Sequence, residues 1–340
     1  IFDHVTTVLV LIAILLRLQS TTEATKNSQR EVWGWASYSM DLGAITKQLL
    51  KYPTLFNGIQ IICGATFHDD GIQFNETTWN ECRPIIDVCI QTKTKFQLWI
   101  VGPVPSNAYT NPQPFIDDAI AIRDRVVAEE FSRTNSSQSS FLFDGFSLDD
   151  ERDCAPRAIL QQFREWMIFH NAFGQGLNEH QLSLTSAVQA LFAIEDVPNN
   201  LPCQNIPSSY KYNPTMTHLL HNATLTKWLV MDTYYFSTGR FMGALDWHLR
   251  NIPLQELAIG MMNRDDLSVD DITARFYAID KADVDWINMW HYPVDEIFIP
   301  FLKRWKSNCQ GCGVQQILGC YDMDIVCDKQ EEQQSSAIIG

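Results

Sequence analysis

The chain has 340 residues, of which 46% are hydrophobic and 11% aromatic. That is enough apolar material for one large core, and α/β barrels commonly fill this length as a single domain. A formal net charge of −15, with no basic cluster to neutralise phosphates, argues against a nucleic-acid partner.

The first residue is Ile1, and residues 5–16 form an apolar run too short to cross a bilayer comfortably. A polar stretch follows, with small residues at Thr22 and Ala24. Residues 1–24 are therefore expected to be a signal peptide, which leaves a secreted mature chain with no membrane span.

Apolar, strand-like segments then recur at 32–39, 58–67, 96–103, 141–148, 181–187, 228–236, 257–262 and 286–292. Between them, the periodicity predicts helices over 77–92, 112–131, 155–173, 268–280 and 294–306. Asn111 before Pro112 is a helix start, Ser268 and Asp271 form a reciprocal cap, and Lys303-Arg304 suits a helix C-terminus. Strands alternating with helices imply a parallel sheet with helical crossovers. Eight such units closing on themselves give a (β/α)8 barrel over 30–306, with 307–340 as a Cys-rich extension outside it.

The chemistry concentrates where the fourth strand ends. Asp144-Gly145 closes the apolar run, and Asp149, Asp150 and Glu151 follow at once. Strand alternation puts Ser147, Asp149 and Glu151 on one face and Phe146, Leu148 and Asp150 on the other. Paired carboxylates at a strand's carboxyl end can raise one group's pKa, as general-acid chemistry requires. The bland alternative is a solvated acidic loop or the N-terminus of a helix.

The octapeptide 144–151 resembles the Asp-x-x-Asp-x-Asp-x-Glu signature of the family-18 glycoside hydrolases, the chitinases and their relatives. Asp144, Asp149 and Glu151 match three of its four acidic positions. Ser147 stands where a second Asp is usual, and Asp150 replaces an apolar residue. Segments around Phe56–Gln60, Met231–Tyr235 and Ile287–Trp290 are similar to the family's second, sixth and eighth strands. The resemblance implies a retaining, substrate-assisted hydrolysis of N-acetylglucosamine-containing glycans with no cofactor and no metal. Glu151 would be the acid, and Asp149 would orient the substrate's acetamido group. Asp232 and either Tyr234 or Tyr235 would contact that group, and Trp290 would lie beneath the sugar. Ser147 cannot carry charge, so the proton-cycling role of the missing Asp is lost. Two rivals remain open: a non-catalytic lectin, and a barrel recruited to other small-molecule chemistry such as a luciferase-type oxidation.

Other features add less. Trp33, Trp35, Trp99, Trp286 and Trp290 fall near strand ends and can line a pocket, Trp35 being a candidate ligand contact. Trp79, Trp166 and Trp305 lie on helices and are expected in the core. Asn75, Asn135 and Asn222 each open a glycosylation sequon. Of the nine cysteines, Cys309, Cys312, Cys320 and Cys327 crowd the tail and are expected to form disulfides. A redox or zinc role for Cys309 and Cys312 is the weaker option. Cys82 and Cys89 lie seven apart on one predicted helix and should not bond each other. His68-Asp-Asp70 reads as a solvated loop rather than a metal site.

Overall fold

Apolar strands separated by helices with right-handed crossovers can form an open doubly wound sheet or close into a barrel, and eight near-continuous units favour closure. The computed structural model describes residues 30–134, 142–149, 160–188, 226–231, 237–262 and 267–307. Its strands are β1 (Glu31–Ser37), β2 (Gly58–His68), β3 (Gly71–Phe74), β4 (Lys95–Val101), β5 (Phe143–Asp149), β6 (Ser183–Val188), β7 (Lys227–Val230), β8 (Leu257–Met262) and β9 (Trp286–Trp290). The principal helices are α1 (Leu42–Lys51), α2 (Glu76–Thr92), α3 (Gln113–Thr134), α4 (Leu160–Asn178), α5 (Thr238–Asn251), α6 (Val269–Lys281) and α7 (Ile299–Lys306).

Eight strands are parallel and run β1-β2-β4-β5-β6-β7-β8-β9, and β9 pairs back onto β1 to close the ring. The expected (β/α)8 barrel is therefore present. β3 stands outside the ring as an antiparallel hairpin partner of β2. It was not anticipated, because Gly71–Phe74 is too short for a period and its turn residues, Asp69 and Asp70, read as loop.

Two apolar layers result from strand alternation. Val32, Ala36, Ile59, Ile61, Phe146 and Leu148 belong to the large core between the strands and the helices. Trp33, Trp99, Leu229, Ala258 and Trp286 form a separate cluster inside the barrel. Trp79 and Trp305 are buried in the helical layer, as expected.

Local chemistry sets the helix limits. Ser268 and Asp271 form the anticipated capping box of α6. α4 continues to Asn178, beyond the expected 173, although Gly174 and Gly176 lie in its path. Burial of Leu177 outweighs their low helix propensity. α7 begins only at Ile299, with Pro300 in its first turn, whereas the apolar pattern suggested a start at 294. A disulfide joins Cys63 of β2 to Cys82 of α2, and Cys89 is buried and unbridged. Cys82 and Cys89 thus do not bond each other, as their spacing required.

Candidate functional site

β5 delivers the acidic segment, and a bulge decides which side chains it turns inward. Phe96 pairs with Phe143, but Gln97 pairs with Gly145, so Asp144 is the extra residue. Gly145 is needed there: its φ is +144°, and a Cβ would fall 2.1 Å from the Ser183 carbonyl oxygen. Beyond the bulge the expected alternation holds. Phe146 and Leu148 join the outer core, and Ser147 is fully buried on the opposite face. The backbone of Asp149 pairs with Val101 and Ala187 at the carboxyl end of the strand.

Asp144 is held near the amino end of β5. Its Oδ2 accepts from Gln97 Nε2 at 3.0 Å and from Ser183 Oγ, and its Oδ1 lies 3.1 Å from Lys95 Nζ. Burial acts to lower the Lys95 ammonium, but the Asp144 carboxylate beside it outweighs that and holds its pKa above the ordinary value. From Asp144 an uncharged network crosses the barrel. Gln60 Nε2 donates to Gln97 Oε1 and to Thr185 Oγ1, each at 3.0 Å. Thr185 Oγ1 donates to Gln97 Oε1 at 2.9 Å, and Asn288 Nδ2 donates to Gln60 Oε1 at 3.0 Å. Gln60, Gln97, Thr185 and Asn288 were not singled out from sequence. The available signal was a polar residue at inward parity within each of four apolar strands.

The tryptophans divide into two groups along the β1/β9 seam. Trp33 and Trp286 stack at 4.7 Å and are buried. They lie toward the amino ends of their strands, where Trp33 Nε1 donates to Glu31 Oε2 at 2.7 Å. Only Trp35, Trp99 and Trp290 remain as a wall in the carboxyl half. Trp35 and Trp290 stack at 4.4 Å with a 17° interplanar angle, and Trp99 meets them at 5.9 and 5.5 Å. At 4.4 Å the Trp35 and Trp290 rings are in direct contact, which leaves no room for a group between them. One face of Trp290 is covered by Trp35, so a ligand cannot stack on that face while the pair is closed. His291 packs edge-on to Trp35 at 5.7 Å, and burial lowers its pKa, which keeps it neutral at pH 7.

The remaining expectations distribute as follows. Glu151, Asp232, Tyr234 and Tyr235 lie outside the described residues, as do Asn135, Asn222, the four tail cysteines and residues 1–24. Asn75 is exposed and caps α2, its Oδ1 accepting from the Thr77 and Thr78 amides at 2.9 and 3.1 Å. His68, Asp69 and Asp70 form the β2–β3 turn. Among the described residues no three His, Cys, Asp or Glu side chains converge to hold a metal, and no helix is long and apolar enough to cross a membrane.

A closed eight-stranded barrel with an aromatic wall at its carboxyl end defines the class to which the chain is similar. Solved structures that share this barrel include chitinases and a spore cortex-lytic enzyme. A chitinase from Chromobacterium violaceum superposes with a TM-score of 0.55 at 13% identity, covering 81% of this chain and 98% of the other. Catalytic domain 2 of the Group II chitinase of Ostrinia furnacalis gives 0.56 at 11% identity, covering 84% and 98%. The Bacillus cereus spore cortex-lytic enzyme SleL gives 0.57 at 10% identity, covering 82% and 74%. Identities this low establish a shared fold. No protein-family model and no curated protein matches the sequence.

Proposed function

We propose that the chain is a secreted, chitinase-like glycoside hydrolase acting on N-acetylglucosamine-containing glycans with retention of configuration. The observation that carries this reading is the delivery of Asp149 by β5 to the end of a barrel walled by Trp35, Trp99 and Trp290. Sugar C–H faces pack well on indole rings, and barrel chemistry is placed at strand carboxyl ends. In this reading Glu151 protonates the glycosidic oxygen, while the acetamido oxygen of the substrate attacks the anomeric carbon. Asp149 orients that acetamido group, with Asp232 and Tyr234 or Tyr235 on the opposite wall. Trp290 is the aromatic residue expected beneath the sugar. The apolar segment before residue 24 and the sequons at Asn75, Asn135 and Asn222 support an extracellular location.

A second reading, a lectin without turnover, is favoured by one observation: a neutral Ser147 sits fully buried where proton cycling would need a carboxylate. Release of a fluorogenic group from a chitobiose conjugate by wild type and Glu151→Gln separates the two. Turnover abolished in the variant supports hydrolysis. Binding of chitin oligomers without turnover in either protein overturns it in favour of the lectin.

A further inference from the structure

Three hydrogen-bonding atoms in the carboxyl half of the barrel have no protein partner: Ser147 Oγ, Trp99 Nε1 and Trp35 Nε1. Ser147 and Trp99 are fully buried, and they are register partners on neighbouring strands, so their side chains leave the same face side by side. Trp35 meets Trp99 edge to face at 5.9 Å. Asn288 Oδ1 and Trp286 Nε1 on β9 are also unpaired, whereas the other amides and hydroxyls of the network are not. Gln60, Gln97 and Thr185 are equally buried, yet each makes two or more hydrogen bonds within the network described above. Leaving a buried donor unpaired is costly, and native interiors rarely tolerate it without a role.

We infer that Ser147 Oγ and Trp99 Nε1, assisted by Trp35 Nε1, are a ligand-recognition site for an uncharged oxygen, a hydroxyl or amide carbonyl of an amino sugar. This deepens the proposed function and rests on it. The class follows from the atoms. An indole N–H can only donate, and a serine hydroxyl can donate or accept, so the group must present an acceptor to Trp99. Among the described residues, the side chains of the network next to the pair are amides and hydroxyls, and Lys95 is paired with Asp144 near the amino end of β5. A carboxylate or phosphate would lose its hydration there with no cation among the described residues to balance it. A neutral oxygen loses far less and gains two or three donors that are already in place.

The same arrangement assigns a specificity role to Trp99. Its ring contributes apolar wall, whereas its N–H reads one ligand oxygen. A site built to hydrogen-bond such an oxygen rejects analogues that lack it, because its own polar atoms are then left unpaired. Trp35 and Trp290, stacked at 4.4 Å, both pack against Trp99, so a ligand that reaches its N–H has to shift or flank that stack.

The test is titration calorimetry of the full chain with N-acetylglucosamine oligomers, alongside thermal unfolding without ligand, for wild type, Ser147→Ala and Trp99→Phe. Trp99→Phe keeps an aromatic ring and removes the N–H. The expected result is binding weakened about three- to tenfold in each variant, with an unfolding temperature equal to or above that of wild type. A variant that binds like wild type overturns the inference and leaves the proposed function standing. So does a lowered unfolding temperature with unchanged binding, which marks the two atoms as structural. A wild type that binds no oligomer overturns the proposed function, and the inference with it. If Trp99→Phe fails to fold, Ser147→Ala decides alone.

Discussion

Asp144 accepts a hydrogen bond from Gln97 at 3.0 Å, although strict alternation along β5 would put Asp144 on the outer face with Phe146 and Leu148. The bulge between Phe143 and Gly145 reverses its side, and Ser183 and Lys95 complete its coordination. Asp144 thereby anchors the amide network that runs through Gln97 and Gln60 to Asn288.

Replacing Asp144 with Ala should remove the carboxylate acceptor from Gln97 and Ser183, which keep their bonds to each other and to the backbone carbonyl of residue 144, and should cost about 0.5–1.5 kcal/mol of stability. The measurement is the urea midpoint of unfolding at constant m-value. An unchanged midpoint would mean that the network closes without this carboxylate.

Glu256, just before β8, has its pKa raised to about 7 by burial, against the opposing attraction of Lys227. A carboxyl group raised above its unfolded value near 4.5 favours the native state only while protonated. Its contribution is complete below that value and is lost as pH rises through about 7. Lys227 faces it but is paired with Asp285 at 2.5 Å, so its charge is already partly spent. Glu256→Gln should therefore gain about 1–2 kcal/mol over wild type at pH 8, a figure discounted for solvent screening, and little at pH 4. Equal stabilities at both pH values would show that Glu256 is fully hydrated.

Cys63 and Cys82 close a loop between residues 19 apart in sequence, tying β2 to α2. Restricting the unfolded chain over a loop of this size is worth about 3 kcal/mol. The double variant Cys63→Ala/Cys82→Ala should unfold correspondingly earlier in guanidinium. Wild type treated with a reductant should match it. A reduced wild type as stable as the oxidised protein would count against the bridge.

The barrel was readable because strands buried on both faces form near-continuous apolar runs, and those of β2, β4 and β8 stand out against polar flanks. What escaped was set by geometry between strands. Nothing local to Asp144 distinguishes a bulged residue from a regular one, apart from the glycine after it. The division of five tryptophans into an amino-end plug and a carboxyl-end wall depends on strand register, which a single sequence does not fix. Trp99 gave no polar signal either, since its indole N–H matters only once its neighbours are known to leave it unpaired.

Ser147 offers the most direct test of how far the family likeness extends. Ser147→Asp restores the acidic position that the resemblance leads one to expect, but it places a carboxylate in a fully buried layer of amides and hydroxyls. Desolvation should raise the pKa of the new group above the unfolded value of about 3.9, and only its protonated form is readily accommodated. The variant should thus approach wild-type stability near pH 4 and lose about 2–4 kcal/mol relative to it by pH 7.5, as the carboxyl group is forced to ionise. Under the hydrolase reading the added carboxylate can pass a proton to Asp149, so turnover of a chitobiose conjugate should rise at mildly acidic pH despite the lower stability. Denaturant unfolding at the two pH values, paired with turnover at each, separates these effects. A stability loss without any gain in turnover would place the catalytic defect elsewhere than at Ser147. Equal stability at both pH values would mean that this layer solvates a charge, contrary to the neutral network found around it.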